Sequence, residues 1–124
     1  MSEQNEININ HLHRLLLQES ENDAIQEIDS GLYNSISELI KNLKNEEHND
    51  IRAKINQVMI NMITDTTSIL LKLRLAKADS TNSNRSVLLD EEKYILDSKK
   101  EMLERRETIL SGILNGKPHS LDVQ

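Results

Sequence analysis

At 124 residues, with a formal net charge of −6 and no cysteine, the chain has the length of one domain, and its acidic balance argues against a free-standing nucleic-acid binder, which needs a basic surface to displace counterions from phosphates. A disulfide framework and a thiolate metal site are excluded as well. Aromatics are only 2% of the residues, and three glycines and one proline leave few turns, so a core of Leu, Ile and Met in an all-α helical bundle of about four helices is expected rather than a β-sandwich.

The N-terminal "MSEQNEININ" is polar and lacks the basic and apolar regions of a signal peptide. A short first helix is predicted over about residues 10–19, "NHLHRLLLQE", with Asn10 as its N-cap and Leu12, Leu15 and Leu16 as its apolar stripe. A polar joint, "SENDAIQEID", follows. The second helix is expected to begin at a capping Asp29, with Ile28 and Tyr33 placed as a hydrophobic staple. Its buried face would be Leu32, Ile36, Leu39, Ile40 and Leu43.

After "KNEEHND" a long third helix runs from Asn49 or Asp50 to about Ala78, on the order of 40 Å at 1.5 Å per residue. Ile51, Ile55, Val58, Met59, Met62, Ile63, Thr66, Ile69, Leu70 and Leu73 make one stripe at steps of three and four. In the last part, "ILLKLRLAKA", Leu71 and Leu75 leave that stripe, so apolar residues face two directions. A helix apolar on more than one side is buried on more than one side, and the extra face reads as a subunit contact, the alternative being a central helix enclosed by its own chain. The basic cluster Lys72, Arg74 and Lys77 has two readings: charge complementing a helix C-terminus, or an interface patch.

A second joint, "DSTNSNRSVL", leads to the fourth helix, from Asp90 to about residue 114, with Glu91 and Glu92 at the positive end of its dipole. Leu89 and Tyr94 occupy staple positions, and Asn115–Gly116 before Pro118 ends the helix. Residues 115–124 read as a tail or linker outside the helical domain of 1–114. Leucine recurs at every seventh position, at Leu89, Leu96, Leu103 and Leu110. Were these the d positions of a zipper, the a positions would be Glu92 or Lys93, Lys99 or Lys100, and Arg106 or Glu107, all charged. The upstream "ADSTNSNRSV" has one arginine where a DNA-gripping helix needs many. What recurs is an adjacent apolar pair: Leu88 with Leu89, Ile95 with Leu96, Met102 with Leu103, Ile109 with Leu110, then Ile113 with Leu114. That pattern describes a bundle helix lying across two neighbours.

Chemistry is sparse. His11 and His13, two apart on one helix, point about 200° from each other and do not chelate together, while His48 and His119 lie in polar joints. No glycine-rich phosphate loop or serine nucleophile motif is present, and no cofactor or metal is expected. "IRAKINQV…ILLKLRLAKA" looks faintly like an all-helical chorismate mutase, yet Arg52 and Arg74 are 22 positions apart, roughly 33 Å along one helix, too far to clamp one small ligand.

The order of segments resembles the GINS proteins of the archaeal and eukaryotic replication fork, in the type whose α-domain comes first. The likeness runs from "LHRLLLQES…IQEIDSGLYNSISELIKNL" through "LLKLRLAKA" to "LLDEEKYIL", about residues 9–114. It implies a non-catalytic subunit of a homo- or hetero-tetramer with other GINS subunits, scaffolding the MCM helicase and a RecJ-like partner, without sequence-specific DNA contacts of its own. It also implies a cytoplasmic protein in an archaeal-type cell, or a nuclear one in a eukaryote. No apolar run approaches the roughly 18–20 residues of a membrane span, so no membrane partner is expected. Family members of this type carry a small β-domain after the helices, where this chain ends at "NGKPHSLDVQ". Combining the two-faced third helix with the paired residues of the fourth, the expected subunit interface is Leu70, Leu71, Leu73, Arg74, Leu75, Lys77, Leu89, Tyr94, Ile95, Leu96, Met102 and Leu103.

Overall fold

The computed structural model describes residues 7–46, 50–80 and 84–116, and within them the fold is all-α, as expected. The elements are α1 (Ile9–Glu21), α2 (Leu32–Asn45), α3 (Asp50–Ala78), a short 3-10 turn (Arg85–Val87) and α4 (Asp90–Leu114). Asn49, His48, His119, Pro118 and the tail from 117 onward lie outside the described residues. The chain divides into two compact units, Met1–Leu89 and Asp90–Gln124.

In the first unit α1 and α2 pack on α3. The core joins Leu12 of α1, Leu32 and Ile36 of α2, Ile63 and Leu70 of α3, and Leu89. Ile28 and Tyr33 both pack against it, although with Gly31 rather than Asp29 as the N-cap of α2 they do not occupy staple positions. Each large side chain closed off from water in this way contributes roughly 1.5–3 kcal/mol.

Two caps differ from expectation. Asn8, not Asn10, starts α1: its side-chain oxygen accepts from the His11 backbone N–H at 2.9 Å, satisfying one of the orphan donors of the first turn. Both asparagines precede the same leucines, and the earlier one lengthens the helix by two residues. At α2 the N-cap is Gly31, without a side-chain bond. Asp29 instead folds its carboxylate onto the Gly31 N–H at 3.0 Å, forming a turn just before the helix. A Cβ added at Gly31 would sit 3.2 Å from that same carboxylate oxygen, so the tight turn favours glycine.

The buried face of α3 is not the stripe expected for it. Asn56, Ile60, Ile63, Thr66, Leu70, Arg74 and Ala78 are buried, whereas Ile51, Ile55, Val58, Met62 and Ile69 are exposed. The two sets are rotated by roughly 120° about a helix of 3.6 residues per turn. Only Ile63, Thr66 and Leu70 of the expected stripe belong to the inner face. The reason lies in Asn56 and Arg74, whose polar ends find partners inside the fold and so turn a mixed polar face inward. Asn56 Nδ2 donates to Glu46 Oε1 at 2.7 Å, beyond the C-terminus of α2.

In the second unit α4 has Asp90, Glu91 and Glu92 in its first turn, placed as the dipole prefers. Gly116 takes φ of +73°, and its N–H donates to Ile113 O, so the glycine expected to stop the helix does so in the left-handed conformation. Tyr94 is 73% exposed and packs as no staple. No helix among the described residues is long and apolar enough to cross a membrane.

Candidate functional site

Two kinds of site emerge: a buried charge cluster that closes the first unit, and apolar helix faces left open to solvent. The cluster is built on Glu19, in the last turns of α1, and on Arg74 and Lys77, one turn apart near the end of α3. Glu19 and Arg74 are both fully buried, with Arg74 Nη1 2.9 Å from Glu19 Oε1. Lys77 Nζ lies 2.7 Å from Glu19 Oε2. The carboxylate also accepts from the Gln26 backbone N–H at 3.1 Å.

Each cation has further work. Arg74 Nη1 donates to the Gln26 carbonyl at 2.7 Å, and Nη2 reaches the Val87 carbonyl at 3.4 Å. Lys77 Nζ donates to the Glu19 carbonyl at 2.6 Å and to the Ala24 carbonyl at 3.0 Å. Thus the polar joint after α1 is pinned by α3, and Ile25 within it is buried. Lys77 does complement a helix C-terminus, but that of α1 rather than its own. The end of α3 is served by Arg85, whose Nε donates to the Ala78 carbonyl at 2.8 Å. Buried charges are tolerated where partners satisfy them on all sides, and this cluster meets that condition.

The expected interface residues divide accordingly. Leu70, Arg74 and Leu89 are enclosed in the chain's own fold. Leu71, Leu73, Leu75 and Lys77 on α3 and Leu96 on α4 are half-buried. Tyr94, Ile95, Met102 and Leu103 are exposed, and α4 adds exposed Leu110, Ile113 and Leu114 beyond the expected set. Those three were signalled by the same recurring apolar pairs. Glu19 had no such signal, since its cationic partners Arg74 and Lys77 lie more than fifty positions away.

The faint arginine-clamp reading does not gather a site. Arg74 is committed to Glu19 and the Gln26 carbonyl, and Arg52 is exposed at the other end of α3. His11 and His13 are joined by no further ligand, and no group of three metal-binding side chains exists among the described residues. One shallow groove of about 240 Å³ lies on α3, lined by Ile51, Lys54, Ile55, Val58 and Met59. Comparisons with protein-family models, with curated proteins and with solved structures find no match to this chain.

Proposed function

We propose that this chain is a non-catalytic interaction subunit of the GINS type, which joins other subunits through its helices and scaffolds a replicative helicase of the MCM type. The observation that carries the reading is α4. Its apolar pairs recur every seven residues, yet Ile95, Met102, Leu103, Leu110, Ile113 and Leu114 all stand in solvent. Scattered exposed leucines need no explanation, but a stripe sustained along an entire helix marks a surface that another protein covers. The order of segments described for the sequence supplies the name of the assembly. The closed charge cluster supports a structural part for Arg74 and Lys77 rather than a part in ligand chemistry.

Affinity purification of the tagged full chain from its native cells, with mass spectrometry of what accompanies it, tests the reading. Recovery of other GINS-type subunits together with an MCM-type helicase or a RecJ-like protein is expected. Partners that include no replication protein would replace it with a general helical-bundle adaptor.

A further inference from the structure

The outer stripe of α3 raises a question that the α4 surface does not answer. Ile51, Ile55, Val58, Met62 and Ile69 follow one another at steps of four, three, four and seven, all on one side of the helix and all exposed. The position that would complete the run, between Met62 and Ile69, is occupied by Asp65. An acidic residue in an otherwise apolar seam is a strong constraint on what may lie opposite, because an unpaired charge facing apolar side chains is disfavoured.

A complementary charge exists on the same helix. Lys54 is eleven positions before Asp65, which is about three turns or roughly 16 Å, so both side chains project along the same edge of the stripe. Both are exposed. In two antiparallel helices related by a twofold axis, an edge of one helix faces the same edge of the other, and residue i meets j while j meets i. Lys54 then falls opposite Asp65 of the second copy, and Asp65 opposite its Lys54. The same register places Val58 beside Met62 of the second copy and Ile51 beside its Ile69. The groove lined by Ile51, Ile55, Val58 and Met59 lies where those Met62 and Ile69 side chains would enter. A parallel pair has no such fit, since it sets this edge of one helix against the opposite edge of the other, so Lys54 and Asp65 do not meet.

We propose that α3 pairs in antiparallel fashion with α3 of a second copy of this chain, through the stripe Ile51–Ile69, with register set by two reciprocal Lys54–Asp65 contacts. The pairing uses a face separate from α4, and so stands or falls independently of whether α4 meets replication proteins.

Sedimentation of the purified full chain across a concentration series tests it, with circular dichroism to verify helix content. The wild-type chain is expected to form a dimer, and V58E/M62E to weaken it by ~100-fold or more, since charge enters the apolar seam. K54E alone and D65K alone each place like charges opposite one another and should weaken self-association about tenfold. Mixing K54E with D65K should restore pairing, because the heterodimer regains opposite charges at both contacts; this outcome also shows that each variant is folded. A wild-type chain that stays monomeric at high micromolar concentration, or a dimer indifferent to V58E/M62E, overturns the proposal, as would a mixture no tighter than either variant alone. Capture of replication proteins by the V58E/M62E chain would then show the α4 reading intact.

Discussion

The two long helices, α3 with 29 residues and α4 with 25, use similar ingredients to different ends. Both lack proline and carry leucine, isoleucine and methionine among charged residues. On α3 a charged residue, Arg74, faces inward, and the fold supplies a carboxylate and two carbonyls for it. On α4 Tyr94, Ile95, Met102, Leu103, Leu110, Ile113 and Leu114 are exposed, and the ion pair of Arg105 with Glu101 at 4.0 Å is exposed as well. Such a pair contributes next to nothing in water. The contrast teaches that hydrophobicity alone does not decide which face is internal. A polar side chain with partners already arranged can outcompete an isoleucine for the inside of a small domain.

The contrast breaks first at Glu19. Replacing it with leucine leaves Arg74 and Lys77 without their carboxylate, and loss of one member of a buried ionic cluster costs about 3–5 kcal/mol. A urea denaturation midpoint shifted by that amount is expected, and an unchanged midpoint would show that the cluster does not hold α1 to α3. Next, Leu70→Ala removes a fully buried side chain at the centre of the core and should destabilise by about 2–5 kcal/mol. Asn8→Ala removes the cap of α1 and should cost about 1 kcal/mol, measured as a small fall in melting temperature. At the far end of the scale, Met102→Ser on α4 should alter the stability of the dilute chain by less than about 0.5 kcal/mol. The same substitution should weaken capture of partner subunits, which a pull-down under matched conditions reads directly. A large loss of stability from Met102→Ser would place α4 inside the chain's own core.

Much of this was legible in the residues. The bounds of α3 follow from a long stretch without glycine or proline, and those of α4 from an acidic first turn at Asp90 and the stop at Gly116. The apolar character of Ile28 and Tyr33 was legible and both pack on the core, but the staple drawn around Asp29 was not the geometry found, because Gly31 is the cap. The orientation of α3 did not follow, because Ile51, Ile55 and Val58 compete on equal terms with Ile60, Ile63 and Leu70 in any count of apolar residues. What breaks the tie is Glu19 with Arg74 and Lys77, and an ion cluster across more than fifty positions leaves no local pattern. Asn8 and Asn10 were a closer choice, decided by which carbonyl oxygen reaches the His11 N–H. The paired residues of α4 read as a helix lying across two neighbours, whereas Ile95, Met102, Leu103, Leu110, Ile113 and Leu114 are exposed.

The central claim is that α3 is closed on its inner face by its own chain, whereas α4 depends on an assembly to cover its apolar face. Hydrogen–deuterium exchange compares the two directly, on the dilute chain and on the chain purified with its partners. Peptides covering Leu70–Ala78 should be protected equally in both samples, and peptides covering Ile95–Leu114 should exchange quickly alone and slowly in the assembly. Equal exchange of the α4 peptides in the two samples would contradict the account.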